Sequence, residues 1–296
     1  MKRRIVATTA VLALCLLAGP VLAAFENVDI SPRARGMGDA AVAVADDAFA
    51  PYFNPAGLAR IQGVALGNSY VKPYGLGFNE QMYLGGVIPG TPRLGNFGFG
   101  IRHFAVEYQE VSLEKEITYT LAHGIMLYED LHSAVSFGTA LNLYSLEFGK
   151  TVSGFDPGQD IVAGFDVGLL VTLHRRTRIG VLVKNMNNPQ IGLDNEELTS
   201  RLHGGIAYLP YDGVTTTFEF ENTIDGETQY HGGVEFSVLG DLLLRAGVMT
   251  NPGKYTGGFG YAYQGFVVNY GFSSGGGVLS PSHQFGMTFA WGGETP

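Results

Sequence analysis

QFGMTFAW, residues 284–291, sets Phe285, Met287, Phe289 and Trp291 against Gln284, Gly286, Thr288 and Ala290. Bulky side chains alternate one for one with small or polar ones, and period two puts each set on its own face of an extended strand. The pattern recurs upstream. Tyr230, Val234, Phe236 and Val238 alternate with Gln229, His231, Gly233, Glu235 and Ser237. Phe165, Val167, Leu169 and Val171 alternate with Gly164, Asp166, Gly168 and Leu170, and Phe218 and Phe220 with Glu219 and Glu221. Tyr255, Phe259, Tyr261 and Tyr263 alternate with Thr256, Gly258, Gly260 and Ala262.

The second set is mostly Gly, Ala, Thr, Ser or charged. A soluble sandwich buries its bulky residues between two sheets. A barrel in lipid turns them outward and keeps small or polar residues for its lumen. A soluble barrel with a bulky core would alternate in the same way, so the pattern needs a second observation. Composition leans toward lipid. The 43 glycines are about twice the usual ~7% share, charged residues are 15% against a typical ~25%, and 15 Tyr and 19 Phe accompany a single Trp.

The N-terminus supplies the second observation. Lys2, Arg3 and Arg4 precede an apolar run over residues 5–17, and Gly19, Pro20 and Val21-Leu22-Ala23 complete a cleavage pattern. Residues 1–23 read as a Sec signal peptide, cut after Ala23 or Ala24. The apolar run is shorter than the ~20 residues a membrane helix needs, and no later stretch reaches that length. Cys15 is the only cysteine and leaves with the signal, which excludes disulfides, a thiol nucleophile and a cysteine metal site from the exported chain. The 18 basic side chains against 27 acidic ones give −9, and loss of Lys2, Arg3 and Arg4 makes the remainder more acidic still. Such a chain does not suit nucleic acid.

Turn signals at Pro89-Gly90, Asp156-Pro157-Gly158, Tyr211-Asp212-Gly213, Gly240-Asp241 and Asn251-Pro252-Gly253 divide residues 63–291 into about fourteen strands, an even number as single-chain barrels normally have. Residues 186–197 read as a longer polar loop. The fold expected is all-β: a closed antiparallel transmembrane barrel of about 14 strands with an N-terminal plug containing a short helix. Its parts are the signal (1–23), a plug or hatch (24–62), the barrel (63–291) and a tail (292–296). Phe289 and Trp291 in the last strand resemble the signal favoured by the bacterial barrel-assembly machinery, although the tail continues beyond the aromatic.

Residues 25–62 do not read as strand. The Ala-rich run from Asp39 to Asp47 favours a short helix, with Gly36-Met37-Gly38 as the tight turn into it and Asn54-Pro55-Ala56-Gly57 as its stop. RARGMGDAAVAVADDAFAPYFNPAGLA, residues 33–59, closely resembles the N-terminal signature of the PorV/PorQ family, a branch of the FadL-like outer-membrane barrels. The resemblance implies a fourteen-stranded barrel plugged by this segment, with Gly36, Gly38, Asp46, Asp47, Asn54, Pro55 and Ala56 belonging to the plug motif. The chain is shorter than typical FadL transporters, which implies short outer loops, and the family's ligand-pocket residues are not carried over onto this sequence.

Within the barrel, the inward register collects Arg102, Asp166, Arg201, His203, Glu219, Glu221, His231, Glu235, Arg245 and Asn269. Their mixed signs fit a network that closes the lumen, or a polar pathway through it; charges in a low-dielectric interior need partners, which favours the network. Asp46 and Asp47 are placed to pair with lumen arginines and hold the plug. Gly36-Met37-Gly38-Asp39-Ala40-Ala41 matches G-x-G-x-x-A, but no strand precedes it and no acid follows at the required distance. Gly271-Phe272-Ser273-Ser274-Gly275 matches G-x-S-x-G, but reads as a hairpin loop with no helix after it. The seven histidines show no metal-ligand spacing, and Asp156 with Asp160 is too sparse for a calcium loop.

These observations give no catalytic constellation and no cofactor, and point to a non-enzyme of the outer membrane. Its expected partners are outer-membrane lipid and the assembly machinery, with a hydrophobic ligand or an exported protein cargo. Three roles remain open: passage of a hydrophobic small molecule, a PorV-type accessory or shuttle role in type IX secretion, and a structural barrel with a sealed lumen.

Overall fold

The computed structural model describes residues 25, 30–150, 154–224, 226–275 and 280–292. The expected signal peptide and residues 293–296 of the expected tail lie outside these. Sixteen strands follow in order: β1 (Val64–Lys72), β2 (Asn79–Ile88), β3 (Asn96–Tyr108), β4 (Val111–Glu129), β5 (Ser133–Phe148), β6 (Gln159–Leu173), β7 (Thr177–Lys184), β8 (Gln190–Ile191), β9 (Glu196–Glu197), β10 (Arg201–Tyr208), β11 (Val214–Thr223), β12 (Thr228–Val238), β13 (Leu242–Met249), β14 (Lys254–Tyr263), β15 (Phe266–Gly275) and β16 (Ser282–Trp291). All but β8 and β9 form one closed antiparallel barrel of fourteen strands. β1 closes it against β16, from Val64 opposite Trp291 to Lys72 opposite His283. Closure leaves no open sheet edge, which is what a sheet in lipid requires.

The alternation read from the sequence is the alternation of the wall. Leu84, Leu121, Phe165, Phe218, Phe259 and Phe285 are exposed on the outer face, while Thr120, Asp166, Glu219 and Gln284 are buried inside. Exposed Tyr208, Tyr211, Tyr261, Tyr263 and Trp291 gather toward one end, and Tyr108, Tyr230 and Tyr255 toward the other. Two aromatic rims flanking an apolar band match the profile of a membrane, whose interfaces suit side chains with an apolar body and a polar tip. One end carries the turns 89–95, 130–132, 174–176, 209–213, 239–241 and 264–265 and the two ends of the barrel chain. The other carries the loops, including 185–200.

Residues 30–62 fold inside the wall. α1 (Pro32–Gly36) is capped by the Ser31 hydroxyl, which accepts from Ala34 N. α2 (Ala50–Phe53) follows, and then a 3-10 turn (Pro55–Arg60) whose cap is Asn54, accepting from Ala56 N. The Ala-rich run 39–47, expected to be helical, is not; it is a chain of turns between the two helices. Helix propensity lost to tertiary partners. Val42 N donates to Glu219 Oε2 at 2.8 Å, and Val42 O accepts from Asn54 Nδ2 at 2.9 Å, so the wall and the cap take the groups a helix would have paired internally. Gly36-Met37-Gly38 therefore ends a helix, where it was expected to begin one.

Two other expectations are corrected. Residues 186–197 hold the β8–β9 ribbon, which tucks Ile191 and Leu198 against Tyr144 and Leu146. Gly271 to Gly275 belong to β15 and are not a hairpin loop.

The plug fits because the wall beneath it is glycine. A Cβ on Gly138 would lie 2.2 Å from the carbonyl carbon of Pro55, and one on Gly180 would lie 2.3 Å from Val42 O. The small residues of the plug and the bare positions of the wall thus let two backbones touch. Gly180→Ala is expected to cost about 1–3 kcal/mol, as overpacking of a close contact does. Gly77→Ala, where the space is open, should stay within about 0.5 kcal/mol. Urea midpoints of the two variants in detergent check this; equal midpoints would contradict it.

Candidate functional site

The lumen is the candidate site. Cross-strand register sets its inner rows: Glu235 faces Arg245, Glu219 faces His231, and His203 faces Glu221. Arg245 Nε donates to Glu235 Oε2 at 2.6 Å and Nη1 to Asn269 Oδ1 at 2.8 Å. Arg33, on α1, grips both oxygens of the same Glu235 at 3.1 and 3.2 Å. Its Nη1 reaches Asp46 Oδ1 at 2.7 Å, and Arg178 of β7 reaches Asp46 Oδ2 at 2.7 Å. Asp47 lies 3.6 Å from Arg33. An unbroken chain of charges, Arg245–Glu235–Arg33–Asp46–Arg178, runs from β13 through the plug to β7. Both ends are wall and the middle is plug, so the chain pins one to the other.

A second cluster lies on β10 to β12. His203 Nδ1 is 3.0 Å from Glu219 Oε1, and His231 Nδ1 is 2.8 Å from Gly38 O. Carboxylate and carbonyl oxygens only accept, so Nδ1 carries the proton in both rings. Arg201 pairs with Glu221 at 3.2 Å. Arg102 and Asp166 join neither cluster. Arg102 pairs with Glu116 at 2.9 Å, and Asp166 accepts from Asn142 Nδ2 at 2.7 Å and Asn185 N at 2.9 Å. Among the described residues, the ten inward candidates thus fall into several hydrogen-bonded groups along the lumen.

The plug-motif residues divide along the lumen. Gly36 sits against Arg245, and Gly38 N donates to Thr256 Oγ1 at 2.9 Å. Asn54 is fully buried; its Nδ2 also reaches Leu169 O at 3.3 Å, while Pro55 and Ala56 lie over Gly138. Arg33, Arg35, Asp39, Glu116, Arg178 and Lys184 were not among the candidates. Glu116 shares the inward register of Thr118 and Thr120, and Arg178 that of Gly180 and Leu182, so the alternation held a signal for both. Arg33 lies off any strand, and nothing in its spacing marks it.

Cavities of about 450 and 350 Å³ lie on the loop side of the plug. Tyr52, Phe53, Phe104, Leu182 and Tyr144 contribute apolar lining, and Arg102, Lys184, Arg201 and Glu221 polar lining. Lys184 Nζ stands 3.5 Å from the centre of the Tyr52 ring, between the two cavities. A third cavity of about 260 Å³ lies at the turn end, beside Asp46, Arg60 and Arg178. Among the described residues no three His, Cys, Asp or Glu side chains converge to hold a metal.

No protein-family model matches the chain, and no curated protein matches it. Solved structures do. The CymD monoaromatic hydrocarbon channel is similar over 90% of this chain and 99% of its own, with a TM-score of 0.64 and 15% identity. The Pseudomonas putida toluene transporter TodX is similar over 89% and 98%, with a TM-score of 0.57 and 13% identity. A Pseudomonas aeruginosa FadL homologue is similar over 91% and 100%, with a TM-score of 0.58 and 12% identity. The barrel has the fold of the FadL-like outer-membrane channels. CymD is described as a channel and TodX as a transporter, and none of the three singles out the PorV/PorQ branch.

The plug lies inside the barrel and outside its wall, and its acids are tuned by it. Burial raises the Asp46 carboxyl, but Arg33 and Arg178 outweigh burial and hold it well below the usual carboxylate range. Asp47 is pushed up by burial, which Arg33 offsets only in part. Asp46→Asn is expected to cost about 3 kcal/mol, since it breaks a buried pair while leaving two arginines in place. The loosened plug should also raise ion conductance in planar bilayers. Because the folded value lies below an unfolded value of ~3.9, Asp46 contributes its stability fully above about pH 4 and loses it as pH falls through the folded value. The stability gap between wild type and Asp46→Asn should therefore narrow below about pH 4. A gap that is unchanged there, or absent at pH 7, would contradict the assignment.

Proposed function

We propose that the protein is an outer-membrane channel of FadL-like architecture that takes a small hydrophobic molecule from outside and passes it inward past the plug. The observation that carries this reading is the plugged lumen itself. Its loop-side cavities fall within the ~300–1,000 Å³ range of small-molecule sites. Their aromatic and aliphatic lining, from Tyr52, Phe53, Phe104 and Leu182, offers an apolar guest a surface that the charged rows alone would not. Loops facing outward and short turns facing the periplasm follow the usual orientation of such barrels. The monoaromatic guests named for CymD and TodX support the class of cargo, not its identity.

A cleaved Sec signal delivers the chain, and the assembly machinery inserts it. A second reading, a PorV-type accessory or shuttle role in type IX secretion, is favoured by the signature at residues 33–59. In that case the outer loops, and not the cavities, make the working surface.

Native mass spectrometry of the protein gently extracted from its own outer membrane separates the two. A small apolar adduct, lost when Leu182→Glu places a charge in the cavity, is the expected result. A co-purifying exported protein with no small adduct would overturn the channel reading in favour of secretion.

A further inference from the structure

Phe25 lies inside the barrel. Its backbone nitrogen is 2.7 Å from Glu116 Oε1. Glu116, on β4, is 2% exposed, and its other oxygen receives Arg102 Nη2 at 2.9 Å. The Phe25 ring meets Tyr144 edge-on at 5.0 Å and lies 5.4 Å from the Arg102 guanidinium carbon. It packs on the cluster of Tyr144, Leu146, Ile191 and Leu198. Edge-to-face packing and the cation over the ring hold this residue so that its main-chain nitrogen addresses a buried carboxylate.

The sequence allows export processing after Ala23 or after Ala24, and the two cuts leave different chemistry at that nitrogen. A cut after Ala23 leaves an amide with one N–H. A cut after Ala24 leaves an α-ammonium with a full positive charge. The surroundings favour the charge. Glu114 of β4 lies close enough to Glu116 and to Glu196 of β9 to be repelled by both. A buried carboxylate with further carboxylates near it is stabilised far more by a cation than by an amide dipole.

We infer that export processing hydrolyses the Ala24–Phe25 bond and that the α-ammonium of Phe25 docks on Glu116 as a charged latch within the lumen. A signal peptidase and one water carry out the cut. The carboxylate remains with residues 1–24, and the nitrogen takes up protons to become the ammonium. The latch forms only after this cut, because before it the nitrogen carries the signal segment. Processing and docking of the new N-terminus are thereby ordered in time. The inference stands whether the lumen passes a ligand or is sealed.

Intact mass of the protein purified from its membrane is expected to correspond to residues 25–296. A chain that begins at Ala24 or retains the signal overturns the proposal. Reductive methylation then reads the amine directly. In the folded barrel the α-amine should react at least about ten-fold more slowly than in the urea-denatured chain, as one charge-assisted hydrogen bond to a buried group implies. Equal rates overturn the proposal on the wild-type protein alone. Glu116→Gln, in a preparation that still migrates as a folded barrel, should recover most of the lost reactivity; a fully protected amine in that variant would show that Glu116 is not the anchor.

Discussion

The bidentate grip of Arg33 on Glu235, continued through Asp46 to Arg178, is the interaction on which the rest of the lumen depends. Burying five charges is costly, and each is tolerated only because its neighbours in the chain are in place. The wall by itself would hold Arg245 and Glu235 as a pair and leave Arg178 without its aspartate. The plug by itself would carry Arg33 and the two aspartates with no scaffold. Each half completes the other, so plug and wall are one electrostatic unit. This makes the plug a folded part of the interior and not a strand of chain lying in a pore.

Steric fit reinforces the same coupling. Gly138 and Gly180 expose bare backbone to Pro55 and Val42. The main-chain groups of the irregular run 39–47 find partners in the wall, as Val42 does with Glu219. Movement of the plug therefore has to break ion pairs and uncover backbone polar groups together. Any molecule crossing from the loop-side cavities to the turn end must offset that cost, or pass beside the plug where Arg60 and Thr172 are bonded.

The barrel was legible because its outer face is read by lipid. Phe285, Met287, Phe289 and Trp291 can be bulky together only if one whole face is apolar, and that constraint repeats through the strands. Glu235 and Arg245 were legible for the same reason, as charges in the inward register. The plug was not. Asp39 to Asp47 carry a helical composition, but local propensity of a few tenths of a kcal/mol per residue yields to the partners the wall offers. Arg33 has no register to betray it, and its role rests on acids that lie 13 and 202 positions away in the chain. The division of the inward charges into several hydrogen-bonded groups depends on side-chain reach, which alternation does not encode.

The most direct measurement of the central claim is hydrogen exchange by mass spectrometry on the protein in detergent, comparing peptides from residues 33–58 with peptides from β12 and β13. A plug that is one unit with its wall predicts protection of Val42 and its neighbours comparable to that of the strands, and joint loss of protection in Arg33→Ala. Exchange of the plug at the rate of an unfolded peptide, beneath a fully protected barrel, would contradict the account.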